Sequence, residues 1–258
     1  MSRKTPSDSP RTVKSVETTC EILYAIVELN GATLTELANH LDRSKASVYN
    51  HLTTLEQQEL VAKNDNKFGL SLRFLELGEH VKDSLKVYDI AKAEIENLAE
   101  KTGARVQYVQ EEYGMVVTVN IARAEHSIRP HSTVGTHTHM HCSASGKVHL
   151  AATSNERVEE ILDEHGMPKM TPNTITSREE LFEELTEIRD QGVAFNDEEN
   201  LLGLRAASVP VRCPDGRLCG AVSLSESVGE MQNNKFYDKI PNVLTSTANR
   251  IEVSMQVQ

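Results

Sequence analysis

Tryptophan is absent from the 258 residues and aromatic side chains make up only 4% of them, so any core must rest on Leu, Ile, Val and Ala. No stretch approaches the roughly 18 consecutive apolar residues of a membrane helix, which excludes a helical span. The opening MSRKTPSDSPRTVKS has no apolar segment, so it is not a secretory signal, and residues 1–11 read as a disordered arm. The four cysteines, Cys20, Cys142, Cys213 and Cys219, are too scattered to be a disulfide framework, and a reducing cytoplasm is the simpler reading. What is present suffices for folding. With 38% hydrophobic and 25% charged residues the chain can bury a packed core, and its length suits two compact domains.

The net charge of −11 at first argues against a nucleic-acid partner, but its distribution matters more than its sum. Residues 1–70 hold eight basic and nine acidic side chains, close to balance, whereas the remainder holds 19 and 29. The acid lies almost entirely outside the first part of the chain. A surface this acidic also fits a salt-rich cytoplasm, where phosphate contacts contribute less.

The apolar spacing predicts a helix over 15–29, stopped by Asn30-Gly31. Thr33-Leu34-Thr35-Glu36 has the form of a capping box and opens a short helix with Leu37, Ala38 and Leu41 inward. Ser44 then caps a third helix whose inner face is Val48, Leu52, Leu55 and Leu60. Two short helices, a tight turn and a longer third element are the grammar of a helix-turn-helix. LVAKNDNKFGL follows as two short strands about a turn, which makes a wing. A winged helix-turn-helix is therefore expected over 12–70, with two linker or dimerisation helices over 71–102. From Ala104 the period changes to two. Strands RVQYVQEE and MVVTVNIA, helices over 155–165 and 177–191 (a second capping box at Ser177 and Glu180), strands GVAFN, LRAASVPVR and LCGAVSLS, and a closing helix over 235–257 predict an α+β domain over 103–258, an antiparallel sheet with flanking helices.

A recognition helix needs short polar and basic side chains on its outer face, where they meet base edges in the major groove. The third helix offers Ser44, Lys45, Ser47, Tyr49, Asn50 and His51. Asn50 carries the amide suited to a bidentate contact with adenine, and Arg43 and Lys45 are placed to neutralise phosphates. Lys63 and Lys67 lie on the wing. Double-stranded DNA is the expected partner, and because basic residues are sparse, two recognition helices in a homodimer or homotetramer would supply the missing affinity.

Several strings, in order and at fitting distances, resemble the IclR family of transcriptional regulators from about residue 12 onward. GATLTELANHLDRSKASVYNHLTTLEQQELV matches its winged helix-turn-helix, FGLSLRFLELG the helix leaving the wing, and CSASGKVHLAA the helix start of its effector domain. TPNTITSREELFEELTEIRDQGVAFNDEENLLGLRAASVPV and GAVSLS follow the remaining pattern. The resemblance implies a GAF-like effector-binding domain, assembly through the N-domains and linker helices, and control of nearby metabolic genes. It also implies an effector pocket lined by Ser145, Gly146, Ala206, Ser223 and Ser225, closed near Arg129. The residues themselves agree: Ser223 and Ser225 share one strand face, and backbone N–H groups at Ser145-Gly146 open a helix, where an anion is favoured. A small organic or sugar-derived acid is the expected effector.

Two other readings stay open. His131, His137, His139, His141 and Cys142 fall within twelve residues, and three imidazoles, of His137, His139 and His141, suit Zn²⁺ in a metal-responsive regulator. An enzyme would use Cys142 or Ser145 as nucleophile with a nearby histidine as base, but nothing in the sequence orients that base; no enzymatic activity is expected.

Overall fold

The computed structural model describes residues 12–124 and 132–257, and the chain divides into two compact units, Met1–Ser84 and Leu85–Gln258. The expected arm at 1–11 lies outside the described residues. In the first unit, α1 (Lys14–Glu28), α2 (Leu34–His40) and α3 (Lys45–Gln57) precede a hairpin of β1 (Val61–Asn64) and β2 (Lys67–Leu70), and α4 (Arg73–Ser84) follows. The local chemistry accounts for these boundaries. Asn30 and Gly31 both take positive φ just past α1. The Thr33 hydroxyl accepts from the Glu36 amide while the Glu36 carboxylate takes the Thr33 N–H, which closes the capping box of α2. Ser44 caps α3 through the Ser47 amide. Asp65 and Asn66 both adopt positive φ, the requirement of a two-residue primed hairpin turn, so the wing turns on this pair alone.

Ile22, Ile26, Leu37, Val48, Leu52, Leu55, Val61 and Phe68 form the core of this unit. Leu41 and Leu60, expected inside, only pack against its margin. Leu60 lies past the end of α3, where Glu59 turns to positive φ and breaks the helical face. Thr33→Ala is expected to lower the stability of this unit by about 0.5–2 kcal/mol, because it orphans the Glu36 amide; chemical denaturation followed by helix signal checks it.

The second unit holds α5 (Tyr88–Thr102), β3 (Arg105–Glu112), β4 (Met115–Arg123), β5 (His137–His139), α6 (Ala144–Ala151), α7 (Asn155–His165), α8 (Arg178–Gln191), β6 (Ala194–Asp197), β7 (Leu204–Arg212), β8 (Leu218–Ser227), a π-helical turn (Asn234–Lys239) and α9 (Ile240–Gln256). Six strands form one antiparallel sheet in the order β5-β4-β3-β8-β7-β6. Strand alternation gives the sheet two faces. Val106, Tyr108, Ala207, Val209, Val222 and Leu224 pack with Ile95 and Leu98 of α5 and Leu244 and Ile251 of α9. Val109, Val116, Ala194, Ala206 and Ala221 face the opposite layer with Val148 of α6, Ile161 of α7 and Leu185 of α8.

Four details differ from the sequence-based expectations. The segment 71–102 is divided, with α5 forming a layer of the second unit, because Ala91, Ile95, Leu98 and Ala99 bury one helical face against the sheet. Ser177 caps α8, but the carboxylate it meets is that of Glu179, which accepts the Ser177 hydroxyl, not that of Glu180. The closing helix begins with a π-helical turn, and Pro241 lies at the junction, in the first turn of α9. Cys213 and Cys219 are joined as a disulfide, since the Pro214-Asp215-Gly216 turn brings their Cα atoms to 5.2 Å; the scatter of cysteines along the chain gave no sign of it.

Candidate nucleic-acid interface and effector cavity

On α3, the 3.6-residue period turns Val48, Leu52 and Leu55 into the core and leaves Lys45, Tyr49 and Asn50 on the exposed face. Lys63 and Lys67 are exposed on the wing, and the Lys63 ammonium lies 5.4 Å from the centre of the Phe68 ring. Other residues expected at this surface have structural duties. The Ser44 hydroxyl is engaged as the cap, and Ser47, half-buried, supplies the amide it holds. Arg43 is exposed but paired with Glu21 of α1 at 2.7 Å. His51 is half-buried and points to α1, where Nδ1 lies 2.9 Å from the Thr19 hydroxyl. The spacing that brings Asn50 outward carries His51 a further 100° round the helix and away from that face.

A cavity of about 390 Å³ opens between the sheet and the start of α6. Four of the expected effector residues line it: Ser145, Ala206, Ser223 and Ser225. Register explains their convergence. Ser225 lies opposite Arg105 on one side and Ala206 on the other, and Ser223 lies opposite Gln107 and Ser208. Both serines are buried rather than on a solvent face. The Ser223 hydroxyl donates to the Ala207 carbonyl at 3.2 Å, whereas the Ser225 hydroxyl has no partner among the described residues.

Gly146 does not line the cavity. Its amide is taken by the Ser143 hydroxyl, which caps α6, and a Cβ there would collide with the Met140 carbonyl, so this glycine serves close packing. Ala144 and Ser145, whose amides have no intrahelical partner at the start of α6, also line the cavity. Arg129 and His131 lie outside the described residues.

The sequence reading missed Arg105. This residue is only 3% exposed and lines the cavity beside Ser225. One guanidinium nitrogen donates to the Ser132 hydroxyl at 2.8 Å, and no carboxylate is paired with it among the described residues. Burial, followed by the nearby Arg123, holds its pKa down at about 10. Lys147, also unassigned from sequence, is fully buried and bridges Glu184 at 2.5 Å and Glu199 at 2.7 Å. It fixes the start of α6 to the loop whose Asn200 and Leu201 line the cavity.

His137 and His139 share a strand face and line the cavity, and β5 ends at His139; the His141 ring packs edge-on against that of His139, centroids 5.7 Å apart, while its Nε2 lies 3.1 Å from the Pro168 carbonyl. Among the described residues no three His, Cys, Asp or Glu side chains are grouped to hold a metal ion. The Cys142 thiol is pushed up to about 12, mainly by burial, which leaves it protonated and a poor nucleophile.

Burial also lowers the pKa of His139, His141 and His149. Unfolded, each takes up a proton near pH 6.5; folded, each resists it, so their stability contribution is present above about pH 6.5 and is lost as pH falls. Glu199, raised by burial, acts in the opposite sense but is one group against three. Thermal unfolding of the second unit is expected to shift downward between about pH 7.5 and 5.5, and a flat profile would contradict this.

Among the described residues no helix is long and apolar enough to cross a membrane. Residues 15–65 match the IclR helix-turn-helix domain, and residues 79–253 match the domain described as bacterial transcriptional regulator IclR C-terminal. The chain is 32% identical over 251 residues to the probable HTH-type transcriptional regulator ArcR of Halobacterium salinarum, covering 96% of this chain and 95% of that one. Its fold is similar to that of the IclR protein of Thermotoga maritima (TM-score 0.76, 26% identity, 94% of this chain and 98% of that one). It is also similar in fold to an IclR homologue of Microbacterium hydrocarbonoxydans solved with 4-hydroxybenzoate (TM-score 0.83, 19% identity, 95% and 100%). A winged helix-turn-helix followed by this α+β domain, matched along nearly the whole length, makes the chain a member of the IclR family of DNA-binding transcription regulators.

Proposed function

We propose that the chain is a cytoplasmic, homo-oligomeric regulator whose operator affinity is set by a small organic or sugar-derived acid held in the C-terminal cavity. Arg105 carries this reading. A buried cation costs several kcal/mol unless an anion compensates it. Arg105 has no paired carboxylate among the described residues, yet it faces a cavity of a size that suits a small molecule. Ser225, whose hydroxyl is unpartnered, and Ala144 and Ser145 at the start of α6 line the same space, so a carboxylate there would have a guanidinium, a hydroxyl and a helix N-terminus as neighbours.

On the first unit, Val16, Tyr24 and Val27 of α1 and Leu75 and Val81 of α4 are exposed, which supports association with a second copy. Paired units would present two α3 helices to successive major grooves. The cavity supports binding and not turnover: the cysteine beside it is held as a thiol, and the proteins this chain resembles are regulators. Thermal-shift titration with gluconate and benzoate, against uncharged glycerol and benzamide, tests the reading. A saturable rise with a carboxylate alone is expected, since a ligand that binds only the folded state stabilises by mass action. Equal responses to acids and their uncharged counterparts would overturn it.

A further inference from the structure

A second cavity, of about 390 Å³, lies against α6 and has its own set of lining residues. Its most unusual member is His149, 4% exposed. The His149 Nδ1 lies 2.7 Å from the Ser145 carbonyl and must donate to it, which fixes the tautomer and leaves Nε2 as a bare acceptor. No group among the described residues bonds to Nε2. A buried acceptor without a donor is costly, so a ligand that supplies one is favoured there.

The other polar groups lining this cavity are arranged in the same sense. The Thr153 hydroxyl spends its proton on the His149 carbonyl and keeps only lone pairs. The Gln110 amide nitrogen is committed to the Cys219 carbonyl, which leaves its oxygen. Glu111 receives the Gly114 N–H on one carboxylate oxygen and retains the other. Arg157 is the exception, but its charge is offset by Glu160 at 3.0 Å. Apart from Arg157, the cavity thus offers acceptors and the exposed carboxylate of Glu111, with Ile161 and Leu218 as apolar wall.

We propose that this cavity binds a small primary amine as its ammonium ion, with its N–H groups directed to His149 Nε2 and Glu111 and its carbon chain against Ile161 and Leu218. An ammonium supplies the N–H donors that His149, Thr153, Gln110 and Glu111 can accept, while the Arg157 guanidinium, the exception in the lining, is paired with Glu160. The site is separate from the Arg105 cavity but not independent of it. The His149 Nδ1 bond ends on the carbonyl of Ser145, which lines the other cavity, so α6 is a wall common to both and amine occupancy is expected to alter effector affinity.

The test uses the full-length protein with propylamine as probe and 1-propanol and propionate as controls. Binding is followed by calorimetry and by the ¹⁵N signals of the histidine side chains. Saturable binding of propylamine, with a shift confined to the His149 Nε2 signal and no such shift from the controls, is the expected result. Glu111→Gln keeps the oxygen that receives the Gly114 amide and removes the charge; it should weaken binding by about twofold to fivefold, the scale of a charge pair at an exposed position. Arg105→Gln should leave amine binding intact, which separates this site from the effector reading. Absence of saturable binding, which would mean that water alone occupies the cavity, overturns the proposal. So does binding unaffected by Glu111→Gln, or binding lost in Arg105→Gln.

Discussion

Arg105→Gln is expected to weaken small-carboxylate binding in the C-terminal cavity by about thirtyfold or more, because truncating one partner of a buried charge pair costs about 2–5 kcal/mol. The same substitution should not harm the empty protein. Burial disfavours the guanidinium charge, and glutamine removes that charge at the cost of the hydrogen bond to Ser132. The ligand-free variant is therefore expected to unfold at a temperature no lower than the parent while losing its response to acids. That split separates a ligand-binding arginine from a structural one. A variant that binds the acid as well as the parent, or that fails to fold, would contradict the assignment. Ser225→Ala should have a smaller effect, since it removes a single neutral hydroxyl.

The second large effect is expected on the DNA side. Asn50→Ala should cost about 1–3 kcal/mol of preference for the operator and relax selectivity at one base pair, whereas Lys45→Ala should weaken all duplexes alike and reduce the salt slope by about one. The distinction follows from chemistry, because an amide reads a base edge and an ammonium reads a phosphate. Arg43→Ala is expected to do little, since Arg43 is already committed to Glu21 at an exposed site where such pairs are weak. His51→Ala should act through stability, by removing the contact with Thr19, and leave base preference unchanged. Filter or fluorescence binding at several salt concentrations resolves these outcomes. Equal losses from Asn50→Ala on operator and random DNA would contradict direct reading by α3.

The first unit was legible because its determinants are local. The capping box at Thr33 and Glu36, the Ser44 cap and the turn residues Asn30, Gly31, Asp65 and Asn66 each act within a few positions, so the sequence displays them. His51 is less legible, because one further step round α3 turns it towards Thr19 of α1. In the second unit the paired serines could be read from period-two alternation, but Arg105 could not. It joins Ser225 only through the pairing of β3 with β8, two strands far apart in the chain, and a single arginine at a strand start carries no sign of burial. The disulfide and the ion pairs of Lys147 are non-local or turn-dependent in the same way. The histidine cluster shows the opposite case: closeness in sequence suggests a metal site, and the His139 and His141 rings do pack together, but among the described residues no third ligand joins them and His141 Nε2 meets the Pro168 carbonyl.

Affinity for the promoter DNA beside the protein's own gene, against random duplex of equal length, with and without a saturating carboxylate, is the decisive measurement. Tighter binding to the promoter, changed by the acid about 5- to 150-fold in the parent and not in Arg105→Gln, is the expected result. No preference for the promoter at any salt concentration, or the same affinity with the acid bound and absent, would contradict it.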